Sequence, residues 1–275
     1  DHRDLHSFPT RRSSDLIDLS NLPNPAFPTV VSYSGSTYPF TSAHDIFIDE
    51  NGVAYVMGAD NGNGGAIMLD LTIDPQAPVE LGRFNTNYLH DGMVRGDTLW
   101  GAAINDGMFV VVNVSNKSAP FVMATQNTPG NFTHNCWISD DGNNLFTTDE
   151  ISNAFIGSYD VSNLSNITLE DQVQSNPGTN TIVHNTYVIG NFIVTSYYRD
   201  GVTIHDVTRP HNLIETGNFD SSPGFAGSGF NGAWGVYPWL PSGNVIVSDI
   251  ENGLFVLGAT YVQGCYLEGT VTDSI

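Results

Sequence analysis

The chain has 275 residues, 40% of them hydrophobic, which is enough for one large domain or two small ones with a sizeable core. Its 29 acidic residues outnumber its 8 lysines and arginines, and the formal net charge of −21 argues against nucleic acid or an anionic membrane surface as a partner. Cationic ligands and metal ions fit this charge better. The 28 glycines and 14 prolines, with only 13% charged residues, indicate a turn-rich chain and predict an all-β fold.

The cysteines and the apolar runs exclude two further classes. Cys136 and Cys265 are too few for a disulfide scaffold. We expect Cys136 to be a small buried hydrophobic residue and not a nucleophile. No run of about 18 apolar residues is present, so this fragment contains no candidate membrane helix.

The first sixteen residues differ in character from the rest. Residues 1–16 contain three of the seven arginines and lack the Asn- and Gly-rich turns found downstream. Read back through the genetic code, all sixteen resemble one reading frame of a sequencing-library adapter, and we interpret them as adapter-derived and not native. On this interpretation the native sequence begins at Ile17, and localisation cannot be read from a signal peptide.

A repeat organises the remaining sequence. His44, His90, His134 and His184 stand in similar surroundings at spacings of 46, 44 and 50 residues, and a fifth copy has Trp234 in place of histidine. Each copy continues with an apolar run, a tight turn and a second apolar run that leads to an acid, and further apolar runs follow. The Asn-Gly, Gly-Asn and Gly-Asp pairs supply the positive φ that two-residue hairpin turns need. Four short strands per repeat, with no helical segment between them, predict a β-propeller of four-stranded antiparallel blades.

The strand count predicts about five blades. The residues after the four histidines supply four full blades, and residues 232–258 supply three strands of a fifth. An additional strand in residues 26–33 could complete that fifth blade and remove its unpaired edge. Residues 17–20 (IDLS) look like the end of a third strand from an upstream blade, so a natural protein of six or seven blades is the alternative.

The third strand of each repeat carries a recurring motif. It reads MLDLT at residues 68–72, VVNVS at 111–115, SYDVS at 158–162 and IHDVT at 204–208. These strands resemble the LVIVD repeat of bacterial and archaeal surface proteins, and residues 17–261 are similar to the LVIVD-rich family called choice-of-anchor B. The resemblance implies a propeller fold, secretion and attachment to the cell envelope, and it implies no established reaction.

The aspartate of this motif has a structural interpretation. Asp70, Asp160 and Asp206 are each followed, two residues later, by Ser or Thr. We expect their carboxylates to cap the following turn by accepting hydrogen bonds from the backbone. Asn113 replaces the aspartate in one copy, and the last copy, LFVLGAT, lacks it.

The end of the chain suggests a second module. Residues 262–275 contain the segment GTVTD, which is similar to the first strand of carboxypeptidase-regulatory-like β-sandwich modules. We expect this truncated start to be loosely held, because a lone strand has no sheet to join. The anchor is expected to be missing from this fragment or to lie at its C-terminal side.

Candidate functional residues gather where the propeller axis is expected. The first strand of each blade lines the axis and its second strand runs antiparallel to it, so the start of one lies beside the end of the other. This predicts a shared site, for which the candidates are His44, Asp45, His90, Asp91, His134, Asn135, His184, Asn185 and Trp234, with the acids Asp60, Asp106, Glu150 and Asp200 nearby. Imidazole and carboxylate groups are ligands for divalent metals. Alternatively, a histidine repeated in every blade ties neighbouring blades together by hydrogen bonds.

Three functions remain open from these residues. The first is a secreted or envelope-associated binding or scaffolding module that requires no cofactor and takes an extracellular protein or glycan as partner. Loop aromatics expected on the histidine face could form such a surface; they are Tyr38, Phe40, Tyr88, Phe132, Phe225 and Phe230. The second is a metal-binding propeller. The third is a hydrolase of extracellular glycan or peptide, for which no nucleophile motif or single-copy acidic pair is evident.

Overall fold

The computed structural model describes residues 14–17 and 30–269 of the chain. Within them the fold is all-β: four antiparallel sheets of four strands, one of three strands and one of two. The two-stranded sheet pairs β1 (Ser14–Ile17) with β2 (Val30–Tyr33). The predicted β-propeller of antiparallel blades is therefore confirmed.

The blades follow the repeat in chain order, and in each of them sequence neighbours are also sheet neighbours. Blade 1 comprises β3 (Asp45–Ile48), β4 (Val53–Met57), β5 (Ala66–Asp70) and β6 (Val79–Phe84); blade 2, β7 (Asp91–Arg95), β8 (Thr98–Ala103), β9 (Met108–Asn113) and β10 (Phe121–Asn127); blade 3, β11 (Thr133–Ile138), β12 (Asn144–Asp149), β13 (Ile156–Asp160) and β14 (Thr168–Val173); blade 4, β15 (Thr186–Ile189), β16 (Phe192–Ser196), β17 (Val202–Asp206) and β18 (Ile214–Phe219); blade 5, β19 (Ala233–Tyr237), β20 (Asn244–Asp249) and β21 (Gly253–Gly258).

Glycines with positive φ make the tight turns between first and second strands. Arg95 pairs with Thr98 across a two-residue turn in which Gly96 has φ 57°. Ile189 pairs with Phe192 across an equivalent turn in which Gly190 also has φ 57°. Residues with a Cβ adopt this conformation at a cost, so glycine at these positions sets the register of the hairpin.

Successive blades pack face to face. Because side chains alternate along a strand, each blade has one face toward the preceding blade and one toward the following blade. Between blades 1 and 2, for example, Tyr55 and Met68 of blade 1 pack with Val94 and Leu99 of blade 2. First strands of neighbouring blades also contact each other, β3 with β7, β7 with β11 and β11 with β15, and this places them at the hub.

The expected closing strand does not join blade 5. Strand β2 pairs with β1, and blade 5 keeps three strands among the described residues. The hydroxyl of Tyr33 donates to Glu80 Oε1 at 2.9 Å, and its ring meets Phe40 edge-on at 6.3 Å. These contacts hold β2 beside blade 1, at the opposite end of the chain order from blade 5. The prediction that residues 26–33 complete the fifth blade was therefore wrong.

The third-strand aspartates cap turns, as predicted. Asp160 Oδ1 accepts hydrogen bonds from the backbone N–H of Ser162 at 2.9 Å and from its hydroxyl at 2.6 Å. Asp70 and Asp206 accept equivalent backbone bonds from the residue two positions on, and Asn113 uses its Oδ1 in the same way. These bonds shift the pKa of Asp160 below its ordinary value. The motif is accounted for by structure.

The described part of the C-terminal segment is held against blade 4. The backbone N–H of Gly264 donates to Asp206 Oδ2 at 2.7 Å, and Glu268 forms an ion pair with Arg209 at 2.8 Å. Acidic and basic groups of blade 4 therefore contact Gly264 and Glu268, and the expectation of a loosely held strand, which concerned GTVTD, stays a prediction. The strand predicted in GTVTD lies mostly outside the described residues, as do residues 1–13 of the adapter-like stretch.

No helix in the described ranges is long and apolar enough to cross a membrane.

Candidate functional site at the hub

The histidines reach the hub because each stands at the start of a first strand. The backbone N–H of His44 donates to Met57 O at 2.9 Å, that of His90 to Ala102 O at 2.8 Å, and that of His184 to Ser196 O at 2.9 Å. Each bond joins the first strand to the second just where the two enter the hub. The side chains therefore project toward the axis at one level.

The four imidazoles form a continuous arc, here called the histidine arc (His44, His90, His134 and His184). Successive ring centroids are 3.6, 4.5 and 4.3 Å apart. Trp234 continues the arc at 5.2 Å from His184, in the position that the fifth repeat gives it. The regular spacing along the sequence thus places the imidazoles in contact around the axis, with tilted or edge-on rings.

Glu150 is the acid that enters the arc. It follows β12, and its side chain is buried between two blades. Its Oε2 lies 3.6 Å from His134 Nε2, and its Oε1 lies 3.7 Å from His184 Nε2. The hydroxyl of Tyr198 donates to Glu150 Oε1 at 2.6 Å. A buried carboxylate needs such partners, because leaving it unpaired in a dry site costs several kcal/mol.

Tyr198, the hydroxyl partner of Glu150, has an unusual backbone conformation. Its φ is 40°, a left-handed value that is rare for a bulky residue. Reciprocal backbone hydrogen bonds with Ala233, at 2.9 and 3.0 Å, hold it in blade 4 against the start of blade 5. Burial and the neighbouring Glu150 carboxylate raise the pKa of Tyr198 above its ordinary value, so its hydroxyl remains a donor.

Three side chains converge closely enough to bind one ion. A donor atom from each of His90, His134 and Glu150 lies within 4.8 Å of the other two. We call this set the triad. The three residues are 9%, 1% and 3% exposed. Two imidazoles and one carboxylate form a donor set that zinc and related divalent metals accept.

The other three predicted acids lie elsewhere. Asp60 accepts backbone hydrogen bonds from Thr41 and Ser42, at 2.7 and 3.1 Å. Asp106 accepts from Asn87 Nδ2 at 2.9 Å, and Asp200 accepts from the hydroxyl of Ser175.

The number of residues between each acid and the hub explains why Glu150 enters the arc and the other three acids do not. Glu150 follows directly on Asp149, which pairs with Thr133 beside His134, whereas Asp60 stands three residues beyond Met57, the residue opposite His44. In the same way, Asp106 stands four residues beyond Ala102, which is opposite His90, and Asp200 stands four residues beyond Ser196, which is opposite His184. Asp60, Asp106 and Asp200 therefore lie in connections beyond the hub. The prediction of four acids around the axis is corrected to Glu150.

The residues that follow the histidines form a second polar layer. Asp91 accepts hydrogen bonds from Asn135 Nδ2 on Oδ1 and from Asn185 Nδ2 on Oδ2, both at 3.1 Å. Burial raises the pKa of Asp45 to about 6. Burial and then the charge of Asp45 raise the pKa of Asp91 well above its usual range. Asp91, Asn135 and Asn185 are therefore bonded to each other across blades 2, 3 and 4, and Asp45 of blade 1 lies close enough for its charge to act on Asp91.

A third layer, made of aromatic side chains, lies three residues further along the first strands. Trp137, three residues after His134, packs against Tyr187 at 4.8 Å and stacks on Trp239 at 4.9 Å. The indole N–H of Trp239 donates to Val188 O at 3.1 Å. Trp137 and Tyr187 share their offset from the histidine, so the repeat could have shown them. Trp239 and Tyr198 have no such signal in the sequence.

The loop aromatics do not form one exposed surface. Phe40 is buried in the core of blade 1. Tyr88 lies 6.2 Å from His90, and Phe230 lies 5.3 Å from Tyr198, so both pack at the hub. Phe225 is partly exposed and lies under the guanidinium of Arg199.

Comparison with known proteins supports the fold. No protein-family profile and no curated protein matched the sequence. A similar solved structure is a protein from Lactobacillus plantarum, at 14% identity and TM-score 0.60, with 83% of this chain and 73% of that chain covered. Another is the β-propeller domain of Cps50 (Swd1) from Myceliophteria thermophila, at 11% identity and TM-score 0.59, with 91% and 79% covered.

A third similar structure comes from Bacteroides uniformis and is described provisionally as a 6-phosphogluconolactonase. It is 14% identical with a TM-score of 0.60, and the match covers 83% of this chain and 70% of that chain. At these identities the similarity concerns the fold alone. The chain is a β-propeller.

Proposed function

We propose that this chain is a binding and scaffolding propeller of the cell exterior whose hub binds one divalent transition-metal ion. The observation that carries the metal is the convergence of His90, His134 and Glu150 within 4.8 Å. The cell-surface setting is supported by the resemblance of the third strands to the LVIVD repeat of choice-of-anchor B proteins. The net charge of −21 favours a cation over an anionic ligand.

The triad fits a zinc-like ion chemically. Zinc binds imidazole nitrogen and carboxylate oxygen at about 2.0–2.2 Å, so ligand atoms around one ion lie about 3.2–3.6 Å apart. His134 Nε2 and Glu150 Oε2 are already 3.6 Å apart. A ring nitrogen of His90 lies within 4.8 Å of both atoms. His184 lies on the other side of Glu150 and orients its second oxygen, as outer-shell partners of metal ligands do.

The alternative is that Glu150 serves only as a tie between blades 3 and 4. That tie is made by its ion pairs with His134 and His184 and by the hydroxyl of Tyr198. His90 of blade 2 packs against His44 and His134 in both explanations. Only in the metal explanation does replacement of His90 also weaken zinc binding, so zinc uptake by that variant separates the two.

Hydrolysis of an extracellular glycan or peptide is less well supported. Two histidines and a glutamate leave a fourth metal position for water, which is the arrangement of catalytic zinc sites. However, His134 and Glu150 are 1% and 3% exposed, so a polymer cannot reach them without rearrangement of the blades.

Zinc titration of the purified protein tests the metal site. Isothermal calorimetry and elemental analysis should give about one zinc per chain, and His90→Ala, His134→Ala and Glu150→Gln should each weaken binding by more than the roughly 100-fold that loss of an outer-shell partner costs. His211→Ala is the matched control, because the His211 side chain is 56% exposed and pairs with Glu268 away from the hub. Wild-type protein that takes up no zinc, with melting temperatures lowered by the triad substitutions, would show that the arc is purely structural.

The proposed location at the cell exterior has a separate test. The product of the complete gene should fractionate with the cell envelope or the medium, and the propeller should then be available to bind an extracellular protein or glycan. Recovery of the protein only from the cell interior would contradict this part of the proposal and leave the metal site unaffected.

A further inference from the structure

The first strand of blade 1 is exposed where the corresponding strands of later blades are buried. Ile48, four residues after His44, is 53% exposed. The residues four positions after the next three histidines, Val94, Ile138 and Val188, are 1%, 1% and 2% exposed. All four side chains point toward the preceding blade, and blade 1 has no complete preceding blade among the described residues.

The third strand of blade 5 shows the same contrast on its opposite face. Val256 pairs with Ile246, as Met68 pairs with Tyr55 in blade 1 and Val111 with Trp100 in blade 2. Val256 is 60% exposed, whereas Met68 and Val111 are fully buried under the following blade. Tyr237 and Leu254 on the same face of blade 5 are also exposed.

These two faces are the halves of one kind of interface. In every interior interface, the face of one blade that points toward the following blade packs against the face of the next blade that points back toward it. Blade 5 leaves a face of the first kind exposed, and blade 1 leaves a face of the second kind exposed. Both faces consist of apolar β-strand residues. Large exposed apolar patches on repeat proteins mark surfaces that another unit covers. We call the space between them the gap.

The native residues before blade 1, Ile17 and β2, are placed as in the outer half of a blade, whereas Ser14, Asp15 and Leu16 of β1 belong to the adapter-like stretch. Ile17 of β1 pairs antiparallel with Val30 of β2, as Asp70 pairs with Val79 between the third and fourth strands of blade 1. Tyr33 of β2 packs against the cluster that buries Val56 and Ile67 of the second and third strands of blade 1. Coverage stops at the inner part, where the exposed Ile48 lies.

Other occupants fit the gap less well. A second copy of the chain would bring another net charge of −21 against the first, which opposes association. The residues outside the described ranges, 1–13, 18–29 and 270–275, are each shorter than one repeat of 44 to 50 residues. The three similar solved structures each extend beyond the match, which covers 70–79% of their chains.

We propose that the gap is filled by further blades of the same repeat, supplied by sequence of this protein outside the 275 residues. The first of them includes Ile17 and β2 in its outer half and covers Ile46 and Ile48. The last covers Tyr237, Leu254 and Val256. The blades of the protein then form a closed ring. The first strands of the added blades continue the histidine arc around the axis.

Cysteine labelling tests this proposal. Ile48→Cys and Val256→Cys are made separately in a Cys265→Ser background, since Cys265 is exposed and Cys136 is buried. Val188→Cys is the matched interior control. Maleimide labelling is timed for the 275-residue chain and for the product of the complete gene, with the mass of each measured by light scattering. Both end-blade cysteines should label at least about tenfold more slowly in the complete product, which should be a monomer, while the control stays slow in both.

Each other outcome overturns the proposal. Equal labelling in the two proteins would show that nothing covers the faces. Protection in the 275-residue chain at the mass of an oligomer would assign the gap to a second copy. Protection in the same chain at the mass of a monomer would show that blades 1 and 5 close on each other.

Discussion

Blades 1 and 3 carry the same repeat but bury it to different extents. Ile48 and Ile138 are the same residue type at the same distance from their histidines, and they are 53% and 1% exposed. Blade 3 lies between two neighbours, and its histidine meets Glu150 from its own blade and His90 from the blade before. Blade 1 has a complete neighbour on one side. Burial at a given repeat position is thus decided by the adjacent blade, and the buried polar site lies in the interior blades.

The largest expected effect comes from removing the isoleucine side chain in each blade. Ile138→Ala should cost about 2–5 kcal/mol of unfolding free energy, because it leaves a cavity between blades 2 and 3. Ile48→Ala should cost less than about 1 kcal/mol in this chain, since water already reaches the side chain. Urea denaturation measures both. Equal costs would break the comparison by showing that blade 1 is covered in solution.

A buried histidine in blade 4 should make stability depend on pH. His205 occupies the position of Leu69, Val112 and Tyr159 in the other blades, where it pairs across from Ile193. Burial lowers the pKa of His205 to about 4.

The unfolded chain therefore takes up a proton near pH 6.5 that the folded chain refuses until about pH 4, so stability falls as the pH drops through this window, by up to about 3 kcal/mol. His205→Leu should abolish that part of the slope in denaturation series from pH 7 to pH 4. Glu215, whose Oε2 lies 3.9 Å from His205 Nε2, is retained in both proteins. The same replacement at the exposed His211 is the control, and a similar change of slope in both variants would rule out burial as the cause.

The smallest expected effect concerns the turn after the third strand. Asn113 caps this turn in blade 2 through bonds to the N–H and hydroxyl of Ser115, at 3.1 and 2.6 Å. Blade 5 has Gly258 at the corresponding position and no such cap. Asn113→Ala should cost about 1 kcal/mol, and Asn113→Asp should retain the cap and most of the stability. Thermal melting compares the three proteins; a loss as large in the Asp variant would show that the cap is not the cause.

Much of the hub could be predicted from the period of the repeat. Histidines at spacings of 44 to 50 residues had to meet once the repeats formed blades around an axis, because each begins a first strand. Glu150 was predicted together with three acids that lie elsewhere, since a sequence pattern does not show how many residues a strand needs to pass the hub. Tyr198 was missed, because its contact with Glu150 depends on a left-handed backbone conformation that tyrosine rarely adopts.

The sequence by itself determined the modular all-β architecture, the blade order, the turn caps and the convergence of four imidazoles at the hub. These follow from local strand, turn and repeat signals that each unit carries on its own. Only the tertiary structure decided which acid enters the hub, that β2 pairs with β1 and not with blade 5, and which apolar faces remain uncovered. Those features depend on contacts between blades, where the geometry of one unit sets the environment of the next.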